Sequence, residues 1–223
     1  MGTIATDSPQ DIPIPQWVIS DTLLGHANIL EYCPWRQTWA KDLIEHDAAI
    51  IAEWQAVVKP DDWVLHLGDF ALGDMERLPE LRRQLPGRIV LVRGNHDRSL
   101  ANMRAAGFDL VCSAISIDID GRKWIGRHNP SAFSIREARD ATRLLHGHSH
   151  GNGYSATIHP SITSKAFDCS LDALHSVGPV LWNTVSYKSR TRCRLFYEAR
   201  SIRNQAFTRA YLDARQQGPD HGP

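Results

Sequence analysis

The chain has 223 residues, enough for one domain with a sizeable buried core. Hydrophobic residues make up 42% and charged residues 22%, which excludes a disordered chain, and no apolar run reaches the roughly 20 residues that span a bilayer. Lys+Arg and Asp+Glu balance at 25 each, so no global field draws the protein toward nucleic acid or a membrane surface.

Residues 1–16 carry prolines and polar side chains and read as a loosely ordered leader. They lack a basic segment followed by an apolar core, which argues against a signal peptide. Trp17 to Ser20 reads as a buried strand with Asp21 at its end. Apolar spacing predicts a helix over Arg36–Val58, stopped by Pro60-Asp61-Asp62. Trp63–Leu67 is a second strand ending at Gly68-Asp69, and a shorter helix covers Met75–Leu85. Ile89–Val92 is a third strand, delivering Gly94-Asn95-His96-Asp97, followed by a helical turn with Gly107 as its stop. Ile115, Ile117 and Ile119 alternate before Asp120-Gly121, a hairpin signal, and the return strand leads to His128.

Arg143-Leu144-Leu145 then delivers His146-Gly147-His148-Ser149-His150. Gly151–Lys165 reads as a long loop, Val180–Val185 as a late strand, and residues from about Leu195 as a helix with a Gly/Pro tail. The expected organisation is a domain over 17–185 and a helical extension and tail over 186–223. Strands alternating with helices, then a hairpin, indicate a layered α/β architecture with mixed sheets. Cys33, Cys112, Cys169 and Cys193 form no CxxC pair and read as reduced thiols, consistent with a cytoplasmic protein.

Polar residues gather where the apolar runs stop: Asp21, Asp69, Asn95, His96, His128, His148 and His150. Ligands in open α/β sheets sit at the carboxyl ends of strands, so these side chains can converge. Each alone has an ordinary explanation as a cap or turn residue. His148 and His150 are harder to dismiss, because residues two apart in extended chain point the same way. The ordered set suits two divalent cations about 3.5–4 Å apart, which need a bridging carboxylate, further ligands and open positions. Imidazole and carboxylate favour Mn²⁺, Fe²⁺ or Zn²⁺ over Ca²⁺, and Asp69 is the natural bridge.

Asp21, Gly68-Asp69, Gly94-Asn95-His96-Asp97, His128 and Gly147-His148-Ser149-His150 resemble the calcineurin-like metallophosphoesterase superfamily. The likeness is to a small bacterial and phage-type branch reading roughly SDTHFGHxNI, HLGDFALG, GNHD, HYP and LHGHSHG, and covers about residues 17–185. It implies a four-layer α/β/β/α metallophosphoesterase sandwich with mixed sheets and two divalent metal ions. Mn²⁺ is the ion expected, with Fe, Zn or Ni as alternatives. By that resemblance Asp21 and His150 bind the first ion, Asp69 bridges, and Asn95, His128 and His148 bind the second. His96 protonates the leaving group or steadies the phosphoryl oxygens, with Asp97 orienting it, while a metal-bridged hydroxide attacks phosphorus.

Two departures stand out. HYP becomes His128-Asn129-Pro130 with Arg127 before it, and Arg127 is a candidate phosphate contact against the plainer reading of a solvated arginine. Leu23 stands where the family has a first-site histidine, which weakens that site. His26 and Asn28 in the same loop are candidate pocket residues, Asn28 having helix capping as its plainer role. His66 and His146 lie inside strand runs and read as core histidines or partners of ligands. The expected activity is hydrolysis of a small phosphodiester or phosphomonoester, the diester favoured. The alternative is a catalytically weakened or inactive binding module of the same fold, supported by Leu23. Nucleic acid is a further candidate substrate, through the basic run Lys188–Arg203. No membrane partner is expected, and the sequence leaves the oligomeric state open.

Overall fold

The computed structural model describes residues 2–6 and 13–186. The chain runs β1 (Gly2–Thr6), β2 (Trp17–Ile19), α1 (Ile29–Tyr32), a 3₁₀ turn (Pro34–Thr38), α2 (Leu43–Val57), β3 (Trp63–His66), α3 (Leu78–Arg83), β4 (Arg88–Val92), α4 (Leu100–Ala105) and β5 (Leu110–Cys112). It continues through β6 (Ile115–Ile119), β7 (Arg122–Gly126), α5 (Ile135–Asp140), β8 (Arg143–His146), α6 (Pro160–Thr163), β9 (Ala166–Asp168), α7 (Leu171–Leu174), β10 (Val180–Leu181) and α8 (Trp182–Ser186). Two mixed five-stranded sheets form, in the orders β10-β2-β3-β4-β5 and β1-β6-β7-β8-β9.

The alternation of side chains along each strand builds the layers. In β4, Ile89 and Leu91 face a cluster with Ile50, Trp54, Leu81 and Met103 of the helices, while Val90 and Val92 face the second sheet. Val64 and Leu65 of β3 divide the same way, as do Val111 and Leu110 of β5. Between the sheets these meet Ile115, Ile117, Trp124, Leu145 and Phe167. On the outer face of the second sheet, Ile125 and Leu144 pack on Ala138 of α5 and Ile162 of α6. Helices, sheet, sheet and helices therefore stack as the α/β/β/α sandwich that the resemblance implies. Strands β2 to β5 are parallel, so their carboxyl ends share one edge.

The structure departs from the sequence reading in several places. The helix expected over Arg36–Val58 is broken, because Asp42 caps a new helix. Its side chain accepts from Glu45 N at 2.9 Å while Glu45 Oε2 accepts from Lys41 N. Residues 2–6, read as part of a loose leader, pair antiparallel with β6 as an edge strand. The loop expected over Gly151–Lys165 contains α6, whose first turn is held by His159 Nδ1 accepting from Ser161 N. Only Val180 and Leu181 of the late strand pair with β2; Trp182 then turns into α8, its indole 5.8 Å from Trp124 between the sheets. The helix expected from about Leu195, with the basic run Lys188–Arg203, lies outside the described residues. Among the described residues no helix is long and apolar enough to cross a membrane.

Leu91 is wholly buried in the parallel sheet. Leu91→Ala is expected to lower the unfolding free energy by about 2–5 kcal/mol, measured by urea denaturation.

Candidate metal centre

The turns after β2, β3 and β8 place the polar residues through unusual backbone. Asp21, Asp69, His148 and His150 all have positive φ, at 57°, 56°, 68° and 47°. Such conformations cost of order 1–3 kcal/mol each in non-glycine residues and persist only where the surroundings enforce them. For Asp21 and Asp69 the enforcement is a ladder of main-chain bonds, Asp21 N to Gly68 O, Leu23 N to Asp69 O and Leu24 N to Phe70 O. Close approach of loops also requires small residues. A Cβ on Gly94 would collide with the Asp69 carboxylate, and one on Gly147 with Ser20 Oγ and the Asp21 carboxylate.

One group of ligand atoms is formed by Asp69, His128 and His148. His128 Nδ1 donates to Leu67 O at 2.8 Å, which directs Nε2 at Asp69 Oδ2 (3.1 Å) and Asn95 Oδ1 (3.0 Å). The His148 ring lies 5.2 Å from that of His128. Nε2 of a neutral imidazole and two oxygens present only lone pairs to one another, so the arrangement calls for a cation or a proton among them. Burial opposes charge on His128, but its bond to Asp69 and the nearby Asp21 carboxylate prevail and raise it to about 9. Burial likewise works to raise Asp69, yet the bond to His128 wins and holds it below the ordinary carboxylate range. The donor set therefore fits a divalent ion, which would take the place of that proton.

Asp21 is fully buried and receives His148 N on both oxygens at 3.0 Å. Burial pushes its carboxyl up to about 6, against the neighbouring His128 and His150. His150 presents Nε2 to Asp21 Oδ1 at 3.5 Å while Nδ1 donates to Asp172 Oδ2 at 2.7 Å. A carboxylate behind a ligand histidine fixes its ring and tautomer. Burial opposes charge on His150, but the Asp172 contact raises it to about 11. Leu23, with φ of 49°, is buried and packs on Ile29 and Cys33, so its side chain joins an apolar cluster instead of the ligand shell.

The remaining candidates divide. His96 is at the rim, 42% exposed, its main-chain N–H donating to Asp69 Oδ1 at 2.9 Å and Nε2 4.0 Å from Asp69 Oδ2. The His26 ring lies 6.3 Å from that of His96. Asn28 sits at the α1 N-cap position without a capping side-chain bond; its own N–H instead donates to His26 Nδ1. Asp97, expected to orient His96, is engaged by main-chain amides. Its two oxygens accept from Asp69 N, Phe70 N and Gly94 N at 2.7–2.9 Å, tying the β3 and β4 turns together. Arg127, read as a candidate phosphate contact, is committed through Nε and one terminal amine to Glu137 Oε1 of the α5 capping box. His66 is a core histidine: Nδ1 accepts from Gly68 N, Nε2 donates to Thr22 Oγ1, and burial lowers it to about 3. His146 holds the turn, with Nδ1 donating to Gly147 O and Nε2 accepting from Tyr154.

Sequence reasoning missed Cys33, Arg36 and Asp172. Arg36 is fully buried and spends five hydrogen bonds on Asp172 Oδ1 and Oδ2, His46 Nε2, Thr22 O and Asp21 O. Cys33 Sγ lies 3.4 Å from His150 Nδ1, and Cys33, His150 and Asp172 form a second group of ligand atoms. No apolar period marks these residues, and Asp172 reaches the site through the parallel bridge of Ser20 with Ser170. Arg36→Met would leave Asp172 and two loop carbonyls without their cationic partner. It is expected to lower the unfolding free energy by about 3–5 kcal/mol in urea denaturation, an isosteric loss of charge at an exposed arginine costing far less.

The sequence profile of the calcineurin-like phosphoesterase superfamily domain matches residues 44–161, more than half of the chain. An uncharacterized protein of Methanocaldococcus jannaschii is 33% identical over 139 residues, covering 61% of this chain and 69% of that protein. The gene 66 protein of Mycobacterium phage D29 is 29% identical over 192 residues, covering 74% of this chain and 91% of that protein. A protein of unknown function from Aquifex aeolicus, AQ665, shares the fold, with a TM-score of 0.59 at 23% identity over 76% of this chain and 96% of that one. With the two-sheet sandwich, the strand-end carboxylates and histidines and this match together, the chain belongs to the calcineurin-like phosphoesterase superfamily.

Proposed function

We propose that the chain is a metal-dependent phosphoric ester hydrolase that acts on a small phosphodiester in preference to a monoester. The observation that carries this reading is the convergence of His128 Nε2, Asp69 Oδ2 and Asn95 Oδ1 on one point, with His148 beside them. Asp69, Asn95, His128 and His148 would hold one divalent ion, Mn²⁺ being the choice for such oxygen and nitrogen ligands. Asp21, Asp69 and His150 would hold the other. When bound, the ions supply Lewis-acid polarisation of the phosphoryl group and acidify a water to serve as nucleophile.

The chain's own residues divide the remaining work. His128 and His150 are oriented through their Nδ1 atoms by Leu67 O and Asp172, so their ring planes are fixed before anything binds. His96, at the open rim and 4.0 Å from Asp69, is placed to hold a proton for the departing oxygen. Burial, then the neighbouring His96, lowers His26, whose ring lies 6.3 Å from that of His96 at the rim. The arginines argue for a diester. Arg36 is committed to Asp172 and Arg127 to Glu137, so neither offers its charge to the second negative charge of a monoester. Leu23 favours a second reading, a binding module of this fold that has lost turnover.

Mn²⁺-loaded protein is expected to hydrolyse bis(p-nitrophenyl) phosphate faster than p-nitrophenyl phosphate, and a chelator to abolish both. Asp69→Ala should remove the activity. His96→Ala should lower kcat by about 10²–10⁴-fold for an alkyl diester, and by less for the aryl ester, whose phenolate leaves without a proton. Loaded protein that hydrolyses neither ester would overturn the hydrolase reading in favour of the binding module.

A further inference from the structure

Leu23 stands where the family has a first-site imidazole, and ten residues later the same stretch of chain brings a different candidate ligand to the Nδ1 side of His150. Cys33 Sγ is 3.4 Å from His150 Nδ1, His150 Nδ1 is 2.7 Å from Asp172 Oδ2, and the three ligand atoms lie within 4.8 Å of one another. Tetrahedral zinc, with Zn–S about 2.3 Å and Zn–N or Zn–O about 2.0–2.1 Å, places S and N about 3.5 Å apart and N and O about 3.3 Å apart. The first spacing is already met. The second opens by about 0.6 Å once the proton shared by Nδ1 and Oδ2 gives way to an ion that binds both.

We propose that Cys33, His150 and Asp172 form a thiolate-containing site for a thiophilic divalent ion, Zn²⁺ in preference to Mn²⁺, in place of the family's first-site histidine. The proposal rests on the reading of the centre above in taking His150 as a ligand, here through Nδ1; the ring proton then sits on Nε2 facing Asp21, so this site replaces the one formed by Asp21, Asp69 and His150. Charge and access both support it. With Cys33 deprotonated and His150 neutral, as metal ligands must be, Cys33, Asp172 and the adjacent Asp21 carry three negative charges against one on Arg36, and a divalent ion offsets the difference. Arg36 donates to both oxygens of Asp172, yet Oδ2 keeps the lone pair that now accepts from His150. Cys33, His150 and Asp172 all line one cavity of about 660 Å³ that Tyr32, Trp35 and His175 also border, giving an ion a route in and room for a water as fourth ligand.

Leu23 contributes by packing on Cys33 and Ile29, supplying an apolar wall behind the sulfur. Softness then sorts the ions: thiolate selects zinc, whereas Asp69, Asn95, His128 and His148 offer only oxygen and nitrogen. The chain would thus carry a mixed pair of ions.

The test is a Co²⁺ titration of the metal-free full chain, read by absorption. A thiolate-to-cobalt charge-transfer band in the near ultraviolet is expected in the native protein and in Cys193→Ser, and is expected to vanish in Cys33→Ser. In a second measurement that needs no variant, Zn²⁺ but not Mn²⁺ should protect Cys33 from iodoacetamide, read by peptide mass mapping. Absence of the band, its survival in Cys33→Ser, or equal alkylation with and without Zn²⁺ would overturn the proposal; if Cys33→Ser does not fold, the alkylation decides alone. Neither readout depends on turnover. An inactive chain that shows the band and the protection upholds this site while overturning the hydrolase reading, and an active chain lacking them does the reverse.

Discussion

A fully buried guanidinium has five N–H donors to satisfy and no water to satisfy them. Arg36 meets this demand with five bonds, and their destinations organise the first-site half of the centre. Two go to the carbonyls of Asp21 and Thr22, fixing the loop that carries a predicted ligand. Two go to Asp172, which in turn holds His150 by its Nδ1. The fifth goes to His46, whose Nδ1 donates to Asp47, and Asp47 accepts from Gly25 N at the far end of the same loop. One cation thus couples the turn after β2 to the turn after β8, although Asp21 and His150 are far apart in sequence. Removing it would leave a buried carboxylate uncompensated, a larger loss than the pair's own net stabilisation.

Opposite this cation stand carboxylates and imidazoles held in strained turns. Asp21, Asp69, His148 and His150 adopt left-handed backbone that only a tight web of main-chain bonds can enforce. Asp97 belongs to that web: its three amide contacts secure the turns that present Asp69 and Asn95. Burial raises the Asp97 carboxyl even so, with the amide bonds pulling the other way. The acids that face His128 and His150 push both toward the protonated form against burial.

Much of this was legible before the fold was known. Strands whose side chains are buried on both faces, such as Ile89–Val92, leave unbroken apolar runs, and a carboxylate or histidine immediately after such a run marks a strand-end site. The ordered set of such residues carried the family and the sandwich. Three-residue strands such as Leu110–Cys112 and Ala166–Asp168 are too short to show a period. The break in the long helix was signalled by Asp42 and Glu45, a capping pair hidden inside an otherwise continuous apolar pattern. Arg127 and Asp97 were assigned by neighbourhood in sequence, whereas their roles follow from partners on other elements, Glu137 and the backbone of Asp69 and Phe70. Cys33, Arg36 and Asp172 acquire meaning only when α1, the 3₁₀ turn and α7 meet beside His150.

Leu23 is the point where sequence likeness and physical reading pull apart. The leucine stands where the resemblance implies a first-site histidine and joins an apolar cluster, while Asp69, Asn95, His128 and His148 lie together. This group is expected to bind a divalent ion. Metal analysis of native and Asp69→Asn protein, each loaded with Mn²⁺ and then dialysed, tests it directly. About one equivalent or more is expected in the native chain, and a loss of most of it in Asp69→Asn. Native protein holding under about 0.3 equivalents, or a variant holding as much as the native chain, would contradict it.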